Sequence, residues 1–155
     1  MFLKKITKTS NVEQTEACGK DLARQMMDDG SIPPFIALYG DLGVGKTAFV
    51  RGFVSVISPA STVRSPTFAL VNEYRAKPRS IFHFDMYRIE DEDDLYSIGF
   101  YDYLDRSGIC LVEWSERIAD SLPDSYLRVT IEKTSLECPD ERMLTFELIE
   151  KEESP

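Results

Sequence analysis

The chain has 155 residues, of which 43% are hydrophobic and 29% are charged, and its formal net charge is −9. This length and apolar content predict one globular domain over residues 1–155, with an acidic tail at about 150–155. The negative charge argues against direct binding of a nucleic-acid backbone, because such binding depends on lysine and arginine side chains.

Neither membrane insertion nor secretion is indicated by the sequence. No apolar run approaches the ~18 residues that a membrane-spanning helix requires, and residues 1–6 lack the features of a secretory signal. The three cysteines, Cys18, Cys110 and Cys138, are widely spaced and odd in number, which is typical of reduced thiols. We therefore expect a cytoplasmic protein with no membrane contact.

Helical and strand patterns alternate along the chain. In order, we predict a strand at 2–7, a helix from Ser10 to Asp29 opened by a capping box at 10–13, a strand at 35–39, a helix to about Ile57, a hairpin of strands 67–74 and 80–85, an acidic helix from about Asp91 to Ile98, a strand at 109–113, and an antiparallel pair at 126–134 and 142–149. This order predicts an α/β fold with a mixed, mostly parallel central sheet plus antiparallel hairpins.

A complete phosphate-binding loop, Gly40-Asp41-Leu42-Gly43-Val44-Gly45-Lys46-Thr47, stands between the strand at 35–39 and the following helix. Its glycines let backbone N–H groups approach phosphate oxygens, and the helix directs its partly positive end at the same anion. Lys46 can reach the β- and γ-phosphates, and the Thr47 hydroxyl can ligate Mg²⁺. The motif predicts a three-layer, P-loop NTPase-like fold that binds a nucleoside triphosphate with magnesium at residues 41–47, without specifying the reaction.

Two apolar strands end in an acidic residue that could complete the magnesium site. Asp85 closes the strand that begins at Ile81, and Glu113 closes the strand that begins at Ile109. Alternation along the first strand places His83 and Asp85 on one polar face. The alternatives are that Asp85 caps the following turn, that Glu113 caps a helix starting at Ser115, and that His83 is an ordinary half-buried ring, which we favour for His83.

Four segments together resemble one family, the TsaE family. They are the phosphate loop, Ser65-Pro66-Thr67-Phe68, His83-Phe84-Asp85-Met86-Tyr87-Arg88 and Glu113-Trp114, in that order. Members are small bacterial ATPases required for threonylcarbamoyladenosine modification of tRNA. The likeness extends from about Phe35 to Glu116. Val44 replaces the commoner alanine, and we expect its side chain to point away from the phosphates.

The resemblance implies specific roles and partners. Lys46 binds phosphate as part of the catalytic site, Thr47 and Glu113 hold Mg²⁺, and Asp85 is a catalytic residue needed for hydrolysis of ATP. Ser65 and Thr67 belong to a switch-like segment. The family joins two further proteins, TsaD and TsaB, and meets tRNA only indirectly, through these partners.

Two other functions fit the same loop. A small-molecule kinase would need an arginine-bearing lid, but Arg106 is the only basic residue between Asp91 and Ser107. A non-hydrolytic, ATP-dependent adaptor would use the nucleotide only to order residues 59–68 for docking.

Overall fold

The computed structural model describes residues 4–41, 43–67 and 69–151. Its seven strands are β1 (Lys4–Thr9), β2 (Phe35–Tyr39), β3 (Val71–Tyr74), β4 (Ile81–Asp85), β5 (Ile109–Glu113), β6 (Ser125–Lys133) and β7 (Arg142–Glu150). They form one sheet in the order β1-β7-β6-β2-β5-β4-β3. The predicted acidic tail lies outside the described residues from position 152 onward.

Helices cover both faces of this sheet. They are α1 (Val12–Asp28), α2 (Lys46–Ile57), α3 (Glu92–Ser97), α4 (Phe100–Leu104) and a 3₁₀ helix (Ser115–Ser121). Over the part of the chain that is described, no helix has both the length and the apolar character needed to cross a bilayer.

The sheet is parallel in the middle and antiparallel toward its edges. Strand β2 runs parallel to β6 and β5, and β5 runs parallel to β4. The pairs β1–β7, β6–β7 and β3–β4 are antiparallel. The predicted α/β architecture, with its mostly parallel centre and antiparallel hairpins, is therefore confirmed.

Strand alternation divides the core into two clusters, one on each face of the sheet. Leu38 and Leu111 pack with Phe49 and Phe53 of α2 and with α1. On the opposite face the core is built from aromatic and aliphatic side chains of β4, β5 and α4, including Phe82, Phe84, Phe100 and Val112. The phosphate-loop helix thus belongs to the face toward which Leu38 points.

Two glycines let α1 and α2 approach each other very closely. A Cβ atom at Gly19 would lie 2.0 Å from the carbonyl oxygen of Phe49, and one at Gly52 would lie 1.9 Å from the carbonyl oxygen of Glu16. Only glycine fits at these crossing points, since the obstructing atoms are backbone. The contact fixes α2, and with it the phosphate loop, against the rest of the molecule.

Two local predictions need correction, and one helix is additional to those predicted. The strand predicted at 67–74 begins only at Val71, because the Leu70 N–H closes a turn onto the Pro66 carbonyl at 2.6 Å and Leu70 adopts a left-handed φ of 68°. The cap of α1 is Asn11, one residue later than predicted; its side chain accepts from the Gln14 N–H, and the Gln14 side chain accepts from the Ser10 N–H. Helix α4 was not predicted, and Gly99, with φ 74°, separates it from α3.

Candidate functional site

The sheet topology brings the two predicted acids together beside the phosphate loop. Glu113 is in register with Leu38 at the end of β2 and with Asp85 at the end of β4. Residues in register on neighbouring parallel strands face the same side of a sheet. Asp85 and Glu113 therefore emerge at the edge where the phosphate loop begins, on the face that carries α2.

A cleft of about 290 Å³ opens at this edge. It is lined by Gly43, Gly45, Lys46, Thr47, Ser65, Thr67, Asp85, Glu113 and Trp114. Eight of these nine residues are predicted site residues, and Trp114 is the addition. Asp41 and Val44 instead border a second cleft of about 590 Å³ on the other side of the loop, with Tyr39 and the end of β6. Leu42 and Phe68 lie outside the described residues.

The phosphate loop is shaped by glycine and held by the core. Gly40 and Gly45 have φ angles of 146° and 105°, which strongly favour glycine. A Cβ atom at Gly40 would also lie 2.6 Å from the Ile131 carbonyl oxygen. The Val44 side chain is buried in the core. The backbone carbonyl oxygen of Val44 accepts a hydrogen bond of 2.8 Å from Nε of Arg142 on β7.

Lys46 is almost completely buried, with 5% of its surface exposed. Its Nζ donates to the Gly40 carbonyl oxygen at 2.6 Å and lies 3.9 Å from the centroid of the Trp114 ring. Burial lowers the pKa of Lys46, and the carboxylate of Glu113 opposes this effect. Among the described residues, the bond to Gly40 is the one hydrogen bond that the ammonium makes, which leaves two further N–H groups for phosphate oxygens.

Trp114 supports this lysine from a strained position. Its φ of 58° lies in the left-handed region, which is rare for a bulky residue and is found at functional sites. The indole also packs against the Tyr87 ring, with the ring centroids 4.9 Å apart. The left-handed turn ends β5 and directs the indole back over Lys46, where its π face attracts the cation.

Asp85 connects the sheet edge with the segment that precedes β3. Its Oδ2 accepts from the Thr67 hydroxyl at 3.3 Å, and Thr67 in turn shares a hydrogen bond of 2.7 Å with Ser65. Its Oδ1 accepts from the Tyr87 N–H at 2.9 Å, so Asp85 also caps the following turn. The capping alternative is therefore correct in part, and it does not remove the carboxylate from the cleft.

Glu113 is held by a histidine whose environment differs from our expectation. His83 is fully buried, not half-buried, and its Nε2 lies 2.5 Å from Oε2 of Glu113. Its Nδ1 lies 3.3 Å from the Tyr74 hydroxyl. The helix that starts at Ser115 has no side-chain cap, so the predicted alternative role of Glu113 as its cap is wrong.

The oxygen groups in the cleft suit magnesium. Mg²⁺ prefers hard oxygen ligands and is usually bound by one or two carboxylates together with substrate phosphates and water. The cleft offers the Thr47 hydroxyl and the carboxylates of Asp85 and Glu113. Because Oε2 of Glu113 faces His83, Oε1 is the oxygen suited to a cation.

Arg106, the basic residue that a kinase lid would need, belongs to another surface. Its guanidinium pairs with Glu73 at 2.5 Å and lies 4.5 Å from the centroid of the Phe82 ring. It lines a groove with Arg75 and Lys77, away from the nine residues of the phosphate cleft.

Four residues of this site were not assigned a role from sequence. Trp114 and His83 lie within the segments that carry the family resemblance, so their positions carried a signal. Tyr74 and Arg142 carried none, because their contacts depend on the fold. Val44 and Arg142, for example, are 98 positions apart in the chain.

Comparison with known proteins identifies a family. The sequence model described as threonylcarbamoyl adenosine biosynthesis protein TsaE matches residues 9–143. The chain is 37% identical to the tRNA threonylcarbamoyladenosine biosynthesis protein TsaE of Bacillus subtilis (strain 168) over 139 residues, covering 90% of this chain and 82% of that protein. It is 42% identical to the protein of the same name from Haemophilus influenzae over 97 residues, covering 63% and 61% of the two chains.

A solved structure shares the fold. The crystal structure of YdiB from Bacillus subtilis superposes with a TM-score of 0.68 at 30% sequence identity, covering 94% of this chain and 86% of that one.

Proposed function

Because this chain belongs to the TsaE family of threonylcarbamoyl adenosine biosynthesis proteins, we propose that it is the P-loop ATPase subunit of the tRNA-modifying machinery. It binds and hydrolyses Mg·ATP in the cytoplasm. Hydrolysis supports turnover of a complex with TsaB and TsaD that places threonylcarbamoyl on adenosine 37 of ANN-decoding tRNAs. The observation that carries this proposal is the convergence of Lys46, Thr47, Asp85 and Glu113 on one cleft.

Each residue contributes a distinct interaction with the nucleotide. The loop N–H groups and the start of α2 bind the phosphate oxygens, and the buried ammonium of Lys46 stabilises the charge of the transferred phosphoryl group. Thr47 and Glu113 would hold magnesium, which would supply positive charge to neutralise the phosphates. Asp85 accepts a hydrogen bond from the attacking water and orients it toward the phosphorus atom.

The net charge of −9 is consistent with a subunit that leaves RNA contact to its partners.

The ATPase rate should be low for the isolated chain and higher in the presence of purified TsaB and TsaD from the same organism. This assay, with and without the partners, tests the proposal. A chain that binds Mg·ATP but hydrolyses none in the complete complex would contradict it.

Asp85→Ala separates the ATPase from a non-hydrolytic adaptor. If hydrolysis drives turnover, the variant binds ATP and partners but fails in multiple-turnover tRNA modification. Unimpaired modification by this variant would instead favour the adaptor. Transfer of the γ-phosphate to a metabolite instead of water would favour the kinase.

A further inference from the structure

A chain of hydrogen bonds, buried as far as Tyr74, runs from the proposed metal ligand to the segment before β3. Glu113 contacts His83 through Nε2 at 2.5 Å, and His83 contacts the Tyr74 hydroxyl through Nδ1 at 3.3 Å. The same hydroxyl lies 3.3 Å from the backbone nitrogen of Arg64 and 3.2 Å from its carbonyl oxygen. Three side chains thus connect the phosphate cleft with the backbone of one loop residue.

One hydrogen-bond pattern joins the three side chains; because the single Tyr74 O–H cannot serve both His83 Nδ1 and the Arg64 carbonyl oxygen, that carbonyl then keeps the Asn72 side-chain amide as its donor. With hydrogen on Nε2, the imidazole donates to the Glu113 carboxylate and its Nδ1 accepts from the Tyr74 O–H. The hydroxyl oxygen of Tyr74 then accepts from the Arg64 N–H. Tyr74 is 6% exposed and His83 is fully buried, so water does not readily replace the bonds from Glu113 to His83 and from His83 to Tyr74.

These hydrogen bonds end at Arg64, in the stretch from Ser58 to Thr67, which we call the linking segment. The Asn72 side chain also donates to the Arg64 carbonyl oxygen, at 2.9 Å. The next residues of the linking segment, Ser65 and Thr67, line the phosphate cleft. The Thr67 hydroxyl donates to Asp85 in the cleft, and the Arg64 N–H donates to Tyr74. The linking segment is therefore hydrogen-bonded to the sheet at two points.

We infer that His83 and Tyr74 are positioning residues that couple the orientation of the Glu113 carboxylate to the backbone of the linking segment at Arg64. His83 fixes one carboxylate oxygen and leaves the other for magnesium, as a second-layer group does at many metal sites. A change in the orientation of the Glu113 carboxylate on ligating magnesium would pass through His83 and Tyr74 to the backbone of Arg64. The state of the nucleotide site is thereby transmitted to the backbone of the linking segment.

This inference rests on the proposed function only in assigning magnesium to Glu113. The hydrogen-bond chain consists of protein atoms alone, so it can be tested in the free protein. Amide hydrogen exchange at Arg64, followed by NMR, reports the local opening of this bond.

In the nucleotide-free protein, we expect Tyr74→Phe to raise exchange at the Arg64 amide by about threefold to tenfold, the effect of losing one hydrogen bond. Glu113→Ala, at the opposite end, should raise it by about threefold. Glu113→Gln should leave it near the wild-type rate, because glutamine keeps an oxygen for His83. Tyr103→Phe is the matched control, since this tyrosine packs against Phe82 and Phe84 on the other face of the sheet.

The proposal is overturned if Glu113→Ala and Glu113→Gln give the same Arg64 exchange rate, or if Tyr74→Phe behaves like Tyr103→Phe. A second arm adds Mg·ADP and measures affinity in the same samples. Wild-type exchange at Arg64 should change on binding, and that of Tyr74→Phe should not, although both proteins bind. If the wild-type protein has no affinity for the nucleotide, the proposed function is wrong. The exchange rates of the nucleotide-free variants would still decide whether Glu113 and Tyr74 are coupled to Arg64.

Discussion

The ammonium group of Lys46 lies 3.9 Å from the centroid of the Trp114 ring, and both side chains line the cleft that holds Asp85 and Glu113. The lysine is therefore held between an aromatic face and the Gly40 carbonyl oxygen, with phosphate oxygens as its proposed third partner.

The contact should make Trp114 a reporter of the proposed nucleotide binding. Trp114 is the only tryptophan in the chain, so its fluorescence is free of background from other indoles. Binding of Mg·ATP should draw the Lys46 ammonium toward phosphate and change the emission in a saturable way. Lys46→Ala should abolish the response, whereas Lys4→Ala, an exposed lysine on β1, should retain it. A normal titration curve from Lys46→Ala would show that the lysine does not contact phosphate.

Arg142 should influence nucleotide affinity although it lies outside the cleft. Its Nε–H donates a hydrogen bond of 2.8 Å to the carbonyl oxygen of Val44 in the phosphate loop. Replacement by methionine removes this bond and frees the loop, so ATP affinity should fall by up to about tenfold, or ~1.4 kcal/mol. Isothermal titration calorimetry measures this loss. Arg24→Met, on the exposed side of α1, is the control, and equal affinities for the two variants would exclude the effect.

The fold could be predicted because its signals are local. The apolar runs at Phe35–Tyr39 and Ile109–Glu113 have the composition of buried parallel strands, and both elements occur at the predicted residues. The start of the strand predicted at 67–74 could not be placed, because the left-handed Leu70 results from the turn onto Pro66. No pattern in the side chains encodes that turn.

The site was predictable where the residues lie in contiguous motifs. Lys46 and Thr47 are defined by the loop itself, and strand ends identify Asp85 and Glu113. Their contacts depend on the strand order β2-β5-β4, which sequence periodicity does not give. His83 was misjudged for this reason: full burial was unexpected for an imidazole, and only the register of β4 with β5 supplies its carboxylate partner.

Gly52 should be essential for stability. A Cβ atom there would lie 1.9 Å from the Glu16 carbonyl oxygen, so Gly52→Ala must push α1 and α2 apart. We expect a loss of about 1–3 kcal/mol in the free energy of unfolding. Gly30→Ala is the control, because a Cβ atom at Gly30 would meet nothing within 4 Å, and it should change stability by less than ~0.5 kcal/mol. Urea denaturation that gives the same midpoint for both variants would refute the tight crossing.

The thiols of Cys110 and Cys138 should react at very different rates. Burial raises the pKa of Cys110 to about 12, so almost none of it is thiolate at pH 8, whereas Cys138 is exposed. A disulfide reagent should label Cys138 rapidly and Cys110 only on unfolding. Because the thiol ionises more readily in the unfolded chain, Cys110 should lower stability as the pH rises above about 9. Rapid labelling of Cys110 in a folded Cys138→Ser variant would contradict this burial.

The most direct test of the account is the magnesium dependence of ATP affinity. Wild-type protein should bind ATP more tightly with Mg²⁺ than with EDTA. Glu113→Gln should lose most of this difference, because it keeps an oxygen for His83 but not the negative charge that holds the cation. Glu116→Gln, a nearby exposed carboxylate, should keep the wild-type difference. An undiminished effect of Mg²⁺ on Glu113→Gln would contradict the assignment of Glu113 as the metal ligand.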